Sequence, residues 1–208
     1  MTRTPDETLA WASLGNELVL KAAAGLTDAD LRAPSTLPGW SVGNLVAHIA
    51  ANADALLNLV SWAKTGVETP MYAGPEDRAE GIAKGDTLTA ADARAWLESS
   101  ISRLADGFAS LTDAEWAHEV VTAQGRTVPA SEVPFMRSRE GLIHAVDLAR
   151  GVTFADLPEG FLDALIEDIR AKRGEFTELP AGPRAEVAAW LAGRPHSLAG
   201  APPLGPWL

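Results

Sequence analysis

Between residues 131 and 151 the chain reads SEVPFMRSREGLIHAVDLARG, and no other stretch constrains the fold as tightly. It predicts one helix over Ser131–Gly151, with Ser131 as N-cap, Pro134 in the first turn and Gly151 as the stop. Met136, Glu140, Ile143, His144 and Asp147 recur at the spacing of a single helical stripe. A stripe of this kind faces a core, yet Glu140, His144 and Asp147 are ionisable. Burying a carboxylate and an imidazole without partners is costly. The fold must bring up a compensating group, and a metal ion is one of the few good candidates.

The rest of the chain offers helices to face it. Thr4 and Glu7 predict a capping box, with Pro5 at the first helical position and Gly25 as the stop. Trp11, Leu14, Leu18 and Ala22 are the expected apolar stripe of that helix. LTDADL reads as a short helical turn, and RAPSTLPGW breaks the chain twice with proline. A long helix is expected from Ser41 to Thr65, stopped by Gly66, with Leu45, His48, Ile49, Asn52, Leu56 and Leu59 inward. VETPMYAGP is a loop, and a short helix over 76–84 carries Arg78. Thr89 and Asp92 open another long helix, whose stripe is Leu97, Ile101, Leu104 and Phe108. TDAEW is one more turn, and β-branched residues around Gln124-Gly125 predict a short hairpin or an extended loop over 119–129. After Gly151 come a helix over 158–173, the linker FTELPAGP, a shorter helix in RAEVAAWLAGR and a proline-rich tail. The expectation is a mainly α protein: a four-helix bundle over 1–151 and a short accessory segment over 152–208.

Composition narrows the partners. The net charge of −11 argues against a nucleic-acid binder and against an anionic membrane surface. There is no cysteine, so thiolate metal ligands and an internal thiol nucleophile are excluded. The amino-terminal MTRTPDETLAWAS lacks a signal pattern, and no run approaches the roughly 20 apolar residues of a membrane span. A cytoplasmic protein, monomeric by preference, is expected.

His48, Glu140 and His144 stand out together. Glu140 and His144 are four residues apart, one turn along a single face, and His48 lies on another inward stripe. Two histidines and a carboxylate suit Zn²⁺ with one coordination position open, the mark of a catalytic site. Asp147 is placed to orient His144, and Asn52 to do the same near His48. The simpler reading of His48 alone is a core histidine bonded to a backbone carbonyl or to Asn52. Arg137 and Arg139 flank Glu140, and Arg78 and Arg194 come from other segments. Arginines at the mouth of such a site suit a carboxylate-bearing substrate, while each taken singly also reads as ordinary surface charge.

LPGWSVGNLVAHIAANADALLNLVSWAKTGVETPMY over 37–72, VPFMRSREGLIHAVDLARGVTFADLP over 133–158 and the closing AAWLAGR with its PPLGPWL tail resemble the mycothiol-dependent maleylpyruvate isomerase family, among the DinB-like metal-binding bundles. The resemblance implies that His48, Glu140 and His144 hold the metal, and that Arg78 and Arg194 of the W-L-x-G-R motif bind substrate or thiol. It implies a thiol, mycothiol, that adds to the cis double bond of maleylpyruvate, permits rotation and leaves the trans isomer, fumarylpyruvate. Family members carry a longer C-terminal α/β domain, whereas 57 residues follow Gly151 here. Two alternatives therefore stand beside isomerisation: a mycothiol S-transferase acting on electrophilic small molecules, and a non-catalytic metal-binding bundle.

Overall fold

The computed structural model describes residues 3–74, 76–174, 176, 178–205 and 207. Met1 and Thr2 of the amino-terminal pattern, Pro75 of the expected loop, Thr177 of the linker, and Pro206 and Leu208 of the tail lie outside the described residues. The chain divides into two compact units, one of Pro5–Arg150 and one of Gly151–Leu208 with Met1–Thr4.

In the larger unit the long helices are α1 (Pro5–Ala23), α3 (Val42–Thr65), α5 (Ala90–Ala109) and α7 (Val133–Asp147). Each of them packs on two others: α1 on α7 and α5, and α3 on α5 and α7. This closes a four-helix ring. Short helices α2 (Asp28–Arg32), α4 (Asp77–Ala83) and α6 (Asp113–Trp116) fill the connections. Between α6 and α7, strands β1 (Glu119–Val121) and β2 (Thr127–Pro129) form an antiparallel hairpin that pairs Val120 with Val128. In the smaller unit α8 (Glu159–Arg173) packs on α9 (Arg184–Leu191).

Helix ends fall where local chemistry sets them. Ser41 and Asn44 form a capping box that opens α3, and Gly66 closes it in the left-handed region at φ 71°. The Thr89 hydroxyl accepts from the Asp92 N–H at the start of α5. By length and composition α3 could cross a membrane, with a window of mean hydropathy 1.2, which corrects the expectation that no run approached a span. Its role here is that of a core helix: 67% of that window is buried inside the protein.

Two expected helix faces are also corrected. On α1 the buried residues are Thr8, Trp11, Ala12, Gly15, Asn16, Val19, Ala22 and Ala23, while Leu14 and Leu18 are only half-buried. The face is turned because α1 crosses α7 backbone to backbone. A Cβ built on Gly15 would sit 3.0 Å from the Leu142 nitrogen, and one on Gly141 would sit 3.0 Å from the Gly15 Cα. The α7 helix is shorter than expected. A 3-10 turn over Ala130–Glu132 takes up Ser131, which does not cap α7, and the helix ends at Asp147. It is also buried on nearly every side rather than along one stripe, so that Arg137, Ser138 and Arg139 are buried as well as His144 and Asp147.

Candidate metal centre

α3 and α7 bring three donors to one point. His48 Nε2 lies 3.0 Å from Glu140 Oε2, and His144 Nε2 lies 3.2 Å from the same oxygen. The three ligand atoms all fall within 4.8 Å of one another. The two rings meet edge to face, with centroids 5.1 Å apart, and Trp40 makes a second edge-to-face contact with His48 at 5.3 Å. Exposure is concentrated on the carboxylate: the Glu140 side chain is 16% exposed, against 4% for His48 and 1% for His144. Glu140 is thus the most accessible of the three donors.

Each group feels this crowding. Burial by itself raises a carboxyl, yet the two imidazoles crowded against it hold Glu140 well below its ordinary range. Burial pushes His48 down, and Glu140 does not fully offset it. Burial pulls His144 the same way, but the Asp147 and Glu140 carboxylates win and raise it. His144 donates from Nδ1 to Asp147 Oδ2 at 2.8 Å. That bond fixes the tautomer and turns the Nε2 lone pair toward His48 and Glu140. Asp147 is itself tied in, its backbone carbonyl accepting from the Thr36 hydroxyl at 2.7 Å.

These residues fit a divalent metal. His144 Nε2 is fully buried and makes no hydrogen bond among the described residues, its approach to Glu140 being off line. A buried nitrogen with its lone pair aimed at a carboxylate is an arrangement that a cation resolves. Two imidazole nitrogens and a carboxylate oxygen are also the donor set that suits Zn²⁺.

The arginines part company. Arg78, on α4, is exposed and lines a cleft of about 460 Å³ with Trp62, Tyr72 and Thr122. No ion pair holds it among the described residues, and Asp77 accepts from the Ala73 N–H. Its charge reaches His48 and Tyr72. The placement of α4 follows from α3. Asn44 Nδ2 donates to the Ile82 carbonyl and to Asp86, and Gly43 and Gly85 touch so closely that a Cβ on Gly43 would lie 2.4 Å from the Gly85 oxygen.

Arg137 does not line a mouth. It is wholly buried and donates from Nε to Asn16 Oδ1 at 2.8 Å, and from Nη1 to the Ile49 carbonyl at 2.9 Å and Asn52 Oδ1 at 3.0 Å. Burial lowers it to about 10. Asn52 therefore serves Arg137, and no hydrogen bond joins it to His48 among the described residues. Arg139 is buried too, its guanidinium 5.5 Å from the Phe135 ring centroid. Both arginines are enclosed because α7 is packed by its neighbours on nearly every side. Arg194 lies in the smaller unit, buried, with Nη1 donating to the Ala192 carbonyl at 2.8 Å. His118 is exposed but has Nδ1 2.6 Å from the Ala63 carbonyl, and His196 is half-buried.

Tyr72 was not legible as a site residue. It is half-buried beside Arg78, and its phenol is raised by burial and by the Glu140 charge, against the pull of Arg78. The one available signal was that it is the sole tyrosine of the chain, set in the loop that precedes Arg78.

Residues 13–149 match the family model described as the mycothiol maleylpyruvate isomerase N-terminal domain. The chain belongs to the mycothiol-dependent maleylpyruvate isomerase family. Among solved structures it is similar to a mycothiol-dependent maleylpyruvate isomerase, at 37% identity and a TM-score of 0.90 over 100% of both chains. A histidine-to-alanine mutant of a mycothiol-dependent maleylpyruvate isomerase matches with the same identity, coverage and TM-score. No curated protein sequence matches the chain. Within the family frame, His48, Glu140 and His144 all fall inside the matched domain, as do Arg78, Arg137, Arg139 and Asp147. Arg194 falls outside it, in the part that only the solved isomerase covers.

Proposed function

We propose that this chain converts maleylpyruvate to fumarylpyruvate as a metal- and mycothiol-dependent cis–trans isomerase. The observation that carries the reading is the convergence of His48, Glu140 and His144 in a chain that matches a solved isomerase from end to end. A divalent metal, Zn²⁺ by ligand type, would be held by those three residues and would supply the Lewis acidity that keeps a thiol ionised near neutral pH.

The remaining work falls to the chain. Asp147 keeps the proton of His144 on Nδ1. The exposed Arg78 guanidinium binds a substrate carboxylate and, through its charge, favours electron density on the neighbouring carbonyl oxygen. Tyr72 steadies Arg78 from the cleft wall. Arg194 carries the same substrate-binding proposal from its place in the W-L-x-G-R motif alone. The sulfur must come from the cosubstrate, since the chain contains no cysteine. Sulfur adds to the cis double bond, and the displaced electron pair moves to the conjugated carbonyl oxygen. Rotation follows about the new single bond. The pair then returns and expels the sulfur, so that no thiol is consumed.

In this reading residues 1–151 form the metal-binding domain and 152–208 an accessory segment of a monomeric, cytoplasmic enzyme. The test is an ultraviolet absorbance assay on Zn²⁺-loaded protein, with and without mycothiol. Thiol-dependent conversion with the thiol recovered unchanged is the expected result. Thiol consumed into adducts would instead make the protein an S-transferase. Bound metal without any turnover would leave a metal-binding bundle.

A further inference from the structure

Arg137 is the largest wholly buried side chain among the described residues, and its hydrogen bonds go to amide and backbone oxygens, with the Glu140 and Asp54 charges acting on it from further off. A buried guanidinium is a poor device for stability, because a well-packed apolar side chain of similar volume is commonly as good or better. What the arginine does that an apolar residue could not is visible in its partners. From α7 it grips α1 through Asn16 and α3 through both Ile49 and Asn52. Ile49 follows His48 directly in the chain, and Asn52 lies one turn further along. On its own helix Arg137 sits one turn before Glu140. A single planar fork therefore spans the two helices that carry the three donors, one turn from Glu140, two from His144, and bonded to the residue next to His48.

We infer that Arg137 is a positioning residue for the metal centre: its guanidinium sets the separation of His48 from Glu140 and His144. The inference rests on the metal-binding reading above. The geometry makes the arginine indifferent to substrate and essential to register. Lysine cannot replace it, because a point charge on a flexible stem cannot hold Asn16, Ile49 and Asn52 at once.

Metal affinity separates this role from plain packing. Zn²⁺ dissociation constants are measured by chelator competition, and Co²⁺ absorption spectra report ligand geometry. Both are taken on the wild type, Arg137→Met, Arg137→Lys and Asn52→Ala, alongside thermal midpoints of the metal-free proteins. The expected result is a 10- to 100-fold weaker Zn²⁺ affinity in both Arg137 variants, as for loss of an orienting partner. Asn52→Ala should fall between them and the wild type. The Co²⁺ bands should shift in each variant, whatever happens to the metal-free midpoint. If Arg137→Met does not fold, Arg137→Lys and Asn52→Ala decide the matter. Unchanged Zn²⁺ affinity and Co²⁺ bands in variants that fold would overturn the inference and leave the metal centre standing. A wild type that binds neither metal would remove the metal centre, and this inference with it.

Discussion

Asp147 shows how much a single side chain can decide. His144 has two ring nitrogens, and only the one without a proton can bind a metal. The 2.8 Å bond from Nδ1 to Asp147, in a pocket where both groups are buried, settles which one that is. Asp147→Asn keeps the shape but removes the charge that favours this tautomer. Its Zn²⁺ affinity should drop roughly 10- to 100-fold, as measured by chelator competition. A variant with wild-type affinity would reduce Asp147 to a structural partner. Asp147 could be picked from sequence because it lies three residues after His144, on the same face. The reach of Arg137 was not available in that way. Its partners are 85 to 121 residues distant in the chain.

At the scale of elements, the glycines govern how closely helices approach. Alanine in a helix is normally favoured over glycine by about 0.5–1 kcal/mol. At Gly43 that gain is outweighed, because the added Cβ would meet the Gly85 carbonyl oxygen at 2.4 Å, and a backbone atom cannot swing aside. Gly43→Ala is expected to cost about 1–3 kcal/mol in denaturant unfolding, the range for an overfilled core. It should also raise KM by moving α4, and with it Arg78, away from α3. A neutral or stabilising effect would mean that the contact relaxes freely. The Gly15–Gly141 crossing has the same logic. It turned the buried face of α1 away from Leu14 and Leu18, because two helices meeting through glycine present their flanking residues to one another rather than their largest ones.

For the whole molecule, the balance of charge sets the response to pH. Asp156 is an exposed carboxylate, and Asp30, Glu115 and Glu186 are half-buried ones. Each is held below its ordinary range by hydrogen bonds, from Thr27, Thr112, Thr153 and Ser197 respectively. A carboxyl whose folded pKa is depressed contributes stability above its unfolded pKa of about 4 and loses it as pH falls through the folded value. The net charge of −11 acts in the opposite sense, since partial protonation relieves repulsion at first. The thermal midpoint should therefore hold or rise slightly from about pH 7 to pH 5, then fall steeply below about pH 4. A double variant Thr27→Val, Thr112→Val should have a shallower acid limb in the same melting series. An identical limb would show that the caps do not carry the effect.

The sequence alone determined what is settled within a turn or two of chain. Ser41, Gly66 and Thr89 mark helix ends because capping is a bond over three or four residues. Glu140, His144 and Asp147 share a face because helical spacing puts them there. His48 could be joined to them because an ionisable group on an inward stripe needs a partner. Tertiary structure decided the rest. It enclosed α7 on all sides, which took Arg137 and Arg139 out of any mouth, drew Asn52 away from His48, and set Tyr72 beside Arg78. These outcomes depend on how closely two backbones can approach. That distance belongs to pairs of segments such as Gly15 with Gly141, or Gly43 with Gly85, and neither member of a pair carries it alone.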